Sequence, residues 1–170
     1  MPVLALIFSW CPRKNLSAAV KCRVPLPIGR KKKEKFFMTP QREEAERFIR
    51  LAKRDQAAFA ALLNSADVDP AVACFHAQQA AEKALKAVMC LRGLEFRRTH
   101  DLEALAGLLR EVDVAPPVDE LDLRCLTPYA VEFRYDDEAI HLISGEAAGR
   151  LIGSLLTWAE KEIASHQDSR

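Results

Sequence analysis

His76, Gln79, Lys83 and Lys86 follow one another at steps of 3, 4 and 3 residues, which on a helix sets them in one row along its length. An imidazole, an amide and two ammonium groups in such a row can meet a ligand or a partner. The plainer expectation is that Gln, Glu and Lys solvate the outer face of a helix. Arg97, Arg98 and His100 come shortly afterwards and can join the same surface, although Thr99, His100 and Asp101 also read as a helix cap.

The element that must carry the row runs from Asp69 to Gly93. Asp69 is suited to cap its start, Pro70 fits a first helical position where the missing N–H costs nothing, and Gly93 can close the end in a left-handed conformation. Ala77, Ala80, Ala81, Ala84, Ala87, Val88 and Leu91 recur at helical spacing on one face. Side chains this small let a neighbouring helix approach to the short end of the usual range, roughly 8 Å, which predicts the middle of a bundle.

Around it the periodicity predicts a first helix from Pro40 to about Asn64, with Ala45, Phe48, Ile49, Ala52, Phe59, Leu62 and Leu63 in its apolar stripe. The short break before Asp69 makes the first two helices antiparallel neighbours. A third helix is expected from about Thr99, burying Leu102, Leu105, Leu108 and Leu109, and Pro116 and Pro117 end that region. A fourth is expected from about Val118 to Phe133 through Leu121, Leu123, Leu126, Ala130 and Val131, interrupted at Pro128. The last should run from about Ser144 to Ser165, with Ala148, Leu151, Ile152, Leu155, Ala159 and Ile163 inward and Trp158 at its edge. Gly145, Gly149 and Gly153 would permit close approach by another helix or subunit. Only six glycines and no strand-like alternation in 170 residues predict an all-α fold, an antiparallel up-and-down bundle of four to five helices.

The net charge of +1 hides an asymmetry: residues 1–37 hold nine Lys or Arg against Glu34 alone, while the rest carries 16 basic and 23 acidic residues. An acidic domain is poorly suited to non-specific nucleic-acid binding, which scales with cationic contacts. Residues 1–37, with four prolines and no sustained periodicity, read as a disordered basic extension or as sequence translated upstream of a true start at Met38. The abrupt change of composition at Met38 favours the second, and residues 38–167 then form the helical domain. The apolar stretch near the N-terminus is too short for a bilayer, which needs about 20 residues. Five cysteines without a CxxC pair read as reduced thiols of a cytoplasmic protein. Neither a metal site nor a cofactor is indicated.

Three motifs, FHAQQAAEKALKA (Phe75 to Ala87), THDL (Thr99 to Leu102) and YAVEFRYDD (Tyr129 to Asp137), resemble the HEPN domain family in their order and separations. The resemblance covers roughly Met38 to Ile163. It implies a bacterial or archaeal helical bundle that commonly forms a homodimer. Many such proteins are encoded with a small nucleotidyltransferase, in toxin–antitoxin pairs or related nucleotide-handling complexes.

For ribonuclease members the resemblance further implies an Arg and His pair, here Arg134 and His141 with six residues between them. His would transfer a proton at a ribose hydroxyl or leaving oxygen, Arg would stabilise charge on the phosphate without metal, and two subunits would build one cleft. Tyr135 stands where those members usually have a polar residue. On a continuous helix this step would separate the two Cα atoms by about 10.5 Å, so a loop before Ser144 or a partner subunit must close the gap. The competing expectation is a nucleotide- or partner-binding module that uses the HAQQAAEK face, Arg97, Arg98, His100 and Tyr135.

Overall fold

A computed structural model describes residues 40–96, 99–131 and 142–166. Its helices are α1 (Pro40–Leu63), α2 (Pro70–Leu91), α3 (Leu102–Arg110), α4 (Glu120–Leu126) and α5 (Gly145–Ser165), with a 3₁₀ turn at Thr127–Ala130 after α4. No strand occurs among the described residues. The all-α bundle expected from the periodicity is the fold.

α1 and α5 run antiparallel. Leu63 and Phe59 near the end of α1 face Gly145 and Gly149 at the start of α5, and Arg42 near the start of α1 donates to the Ile163 carbonyl near the end of α5 at 3.0 Å. α2 is antiparallel to α1, with Phe48 of α1 edge-on to Phe96 just beyond α2. α2 packs against every other element, the 3₁₀ turn included. Its alanine face is fully buried at Ala77, Ala80, Ala81, Ala84 and Ala87. Three helices are long and two are short, so the architecture is a three-helix core with α3, α4 and the 3₁₀ turn laid against α2.

Helix boundaries follow local capping. The Asp69 carboxylate accepts from the Ala71 amide at 2.8 Å, ahead of Pro70. At the far end Gly93 has φ +67, the Gly93 amide donates to the Cys90 carbonyl and the Leu94 amide to that of Met89. This pairing, with its left-handed residue, satisfies carbonyls the helix leaves open. α3 ends with the same pattern, Asp113 to Arg110 and Val114 to Leu109, but the residue at φ 60 is Asp113. Left-handed backbone costs an L-residue roughly 1 kcal/mol that glycine is spared. Asp113→Gly should therefore raise stability by up to about 1 kcal/mol, and Gly93→Ala should lower it by about as much. Urea unfolding midpoints that do not move in opposite directions would contradict this.

Some expectations need correction. α3 begins at Leu102 with Asp101 as its cap, accepting from the Ala104 amide at 3.0 Å, and does not begin at Thr99. The carbonyls of Thr99 and His100 are bonded to side chains of α2, which keeps those residues out of the helix. α4 starts at Glu120 and stops at Leu126; Pro128 has no N–H with which to continue the ladder, and Phe133 lies outside the described residues. Leu121 is 61% exposed and Val131 50% exposed, so neither joins the core. Gly145 and Gly149 serve contact within the chain, where a Cβ on Gly145 would collide with Leu63, whereas Gly153 faces open space.

Candidate functional site

Every polar residue between His76 and Lys86 takes part in one unbroken run of hydrogen bonds. His76 Nδ1 lies 3.2 Å from Asp55 Oδ1 on α1, and Lys83 Nζ donates to Asp55 Oδ2 at 2.5 Å and to Gln79 Oε1 at 3.1 Å. Gln79 Nε2 donates to Gln78 Oε1 at 2.8 Å. Gln78 Nε2 then donates to Glu82 Oε2 at 3.2 Å and to the His100 carbonyl at 3.1 Å.

Glu82 is the hub. Lys86 Nζ donates to its Oε1 at 2.6 Å, and His100 Nδ1 meets its Oε2 at 3.0 Å. The Lys86 ammonium also donates to the Thr99 carbonyl at 3.2 Å and lies 5.5 Å from the centre of the Phe96 ring, a favourable place for a cation. Among the described residues no buried side-chain polar atom lacks a partner.

The row of four seen in the sequence is thus divided. His76 and Lys83 gather on Asp55, with Gln79 bonded to Lys83, while Lys86 turns with Glu82 toward the loop before α3. The expectation of a solvated face fails: Gln78 is 0% exposed, Glu82 6% and Lys86 9%. α2 is covered on this side because the chain after Gly93 folds back along it and α1 closes the other edge. Asp55, Gln78 and Glu82 were not marked by the spacing argument; the signal was available in the i, i+4 steps Gln78–Glu82–Lys86, which share a face.

Electrostatics follow the geometry. Burial pushes the Glu82 carboxyl up, but the Lys86 ammonium, with hydrogen bonds from His100 and Gln78, outweighs it and holds the pKa below its ordinary value. Burial acts the same way on Asp55, where bonds from His76 and Lys83 prevail and lower it. Both groups are carboxylates at neutral pH. Burial pushes the Cys74 thiol up, which makes it a weak nucleophile, and none of Cys74, Cys90 and Cys125 is in a disulfide.

The loop carrying His100 is held from several sides. Besides the bonds to Thr99 and His100, the Leu102 amide donates to Thr127 Oγ1 at 3.2 Å, tying α3 to the end of α4. Two residues later Tyr129, buried against α2, accepts at its hydroxyl from the Leu142 amide at 3.2 Å. Leu142 is thereby held at Tyr129. His100, by contrast, keeps 56% of its side chain exposed while its Nδ1 is engaged. Arg97, Arg98, Arg134, Tyr135 and His141 lie outside the described residues.

A shallow groove of about 320 Å³ between α1 and α5 is floored by Ile49 and Ile163, and none of its lining residues belongs to the polar network. No helix among the described residues is long and apolar enough to cross a membrane.

Comparison with curated proteins and with solved structures returns no match. A family model described as the HEPN domain matches residues 41–162, a span that takes in nearly all of the five helices and the whole network from Asp55 to His100. The chain belongs to the HEPN domain family.

Proposed function

We propose that this HEPN domain is a nucleotide- or partner-binding module of a two-gene system, acting as a homodimer beside a small nucleotidyltransferase. One observation carries the reading: Gln78, Glu82 and Lys86 of α2 hold the loop before α3, and they leave the His100 imidazole at the surface with its orientation set. Buried polar groups that must all be satisfied are a demanding way to hold a loop, and the arrangement makes sense where that loop meets something. The acidic balance of the domain favours a discrete ligand or a basic partner over non-specific RNA binding. Co-expression of the full chain with the nucleotidyltransferase encoded beside it should yield a complex that survives affinity capture. A monodisperse product with no bound partner would count against the reading.

A second reading, a metal-independent endoribonuclease using Arg134 and His141, is favoured by the bond between Leu142 and the Tyr129 hydroxyl. That bond places Leu142, the residue after His141 in the sequence, at Tyr129, five residues before Arg134. Under this reading induction of the full chain arrests growth and cleaves RNA, and Arg134→Ala and His141→Ala each abolish both effects while helix content by circular dichroism is unchanged. Cleavage retained by both variants would remove the pair from consideration.

A further inference from the structure

His100 combines two properties that rarely go together. Its side chain is more than half exposed, yet the backbone around it is fixed by Lys86 at the Thr99 carbonyl, by Gln78 at its own carbonyl and by Thr127 at the Leu102 amide. Its Nδ1 is bonded to a carboxylate on a residue that is only 6% exposed. A carboxylate at Nδ1 accepts that nitrogen's N–H and leaves Nε2 on the far side of the ring.

Stability gives little reason for this arrangement. α3 is already capped by Asp101 and buries Leu102, Leu105 and Leu109, and a buried ion pair such as Glu82 with Lys86 is commonly no more stabilising than an apolar pair of the same size. What apolar residues could not supply is a directed acceptor for Nδ1. Lys86 balances the charge of Glu82 within the protein. The exposed Asp101 carboxylate next in the chain is engaged as the α3 cap.

We infer that His100 is a ligand-contacting residue whose Nε2 meets a phosphate oxygen of a nucleotide or RNA, with Glu82 as the residue that positions it. The inference rests on the nucleotide-binding reading above and locates it at one atom. Ordering the imidazole before the ligand arrives removes part of the cost of binding, and a ring N–H bond to a phosphate oxygen is of the charge-assisted kind.

The test uses the full chain, with adenosine triphosphate and a short single-stranded RNA as separate probes and the four histidine Cε1–H signals followed by NMR. In His100→Asn the amide nitrogen takes the place of Nδ1 and can still donate to Glu82, but the Nε2 end of the ring is gone. The expected result is that the His100 signal moves on titration of the wild type, and that His100→Asn unfolds at the wild-type urea midpoint while its affinity falls on the order of tenfold or more. The double variant Glu82→Met/Lys86→Met keeps the imidazole without its anchor and should bind more weakly than wild type. Whichever probe binds identifies the source of the phosphate. Wild-type affinity in His100→Asn would overturn the inference and leave the binding module standing; a wild type that binds neither probe would overturn the nucleotide-binding reading and this inference with it.

Discussion

Glu82→Ala is expected to lower the free energy of unfolding by about 3 to 5 kcal/mol, because it leaves the buried Lys86 ammonium without its counter-charge. That is a large part of the roughly 5 to 15 kcal/mol by which a domain is usually stable. Replacing both members, as Glu82→Met/Lys86→Met, should restore most of the loss, since the cost lies in the unpaired charge. Urea unfolding followed by circular dichroism measures all three proteins; a double variant as unstable as Glu82→Ala would show that the pair itself contributes the stability.

The same carboxylate sets part of the acid response. Its pKa is lowered in the folded chain, so near the ordinary carboxylate value the unfolded chain binds more protons and stability rises with pH. The contribution is complete above the unfolded value of about 4.3 and disappears as pH falls through the lowered folded value. The unfolding midpoint should therefore be level from pH 7 to about 5 and fall below about pH 4. Asp55, lowered in the same sense, should leave a smaller fall in the double variant. An unfolding midpoint that rises on acidification would contradict both assignments.

Ala84→Leu is expected to be a damaging enlargement on α2. Ala84 is fully buried on the face of small side chains that lets neighbouring helices close on this one. Three added carbon atoms must push a helix away or force strained rotamers, at about 1 to 3 kcal/mol. In a domain of this size that lowers the melting temperature by roughly 5 to 10 °C, and combining it with Ala80→Leu should come close to preventing folding. Ala61→Leu, at an exposed position of α1, should change stability by no more than about 0.5 kcal/mol. Equal melting temperatures for Ala84→Leu and Ala61→Leu would mean that the alanine face is not closely packed.

How much of this could be read from the chain alone follows from the range of the forces involved. The ends of α1, α2 and α5 were legible because capping is local: Pro40, Asp69 with Pro70, Gly93 and Ser144 act on amides or carbonyls within a few residues of themselves. The core faces of α2 and α5 were legible for a related reason, since a face repeated every 3.6 residues on a long helix leaves little choice of what to bury. The family, too, was visible in motifs whose order and separation lie along the chain.

What the tertiary structure decided is what α2 does with its polar residues. The same letters, Gln78, Glu82 and Lys86, describe a solvated stripe or a buried network, and only the return of the chain through Phe96, Thr99 and His100 makes them the second. That return moved the start of α3 from Thr99 to Leu102 by drawing two carbonyls to α2. It also turned the exposed imidazole of His100 into a held one. Asp55 could not be paired with His76 and Lys83 in advance, because the rotation of α1 against α2 depends on the whole interface and not on any spacing within either helix. Local caps and periodicity are written in adjacent residues; the fate of a polar side chain depends on which distant segment covers it, and that is settled only when the helices pack.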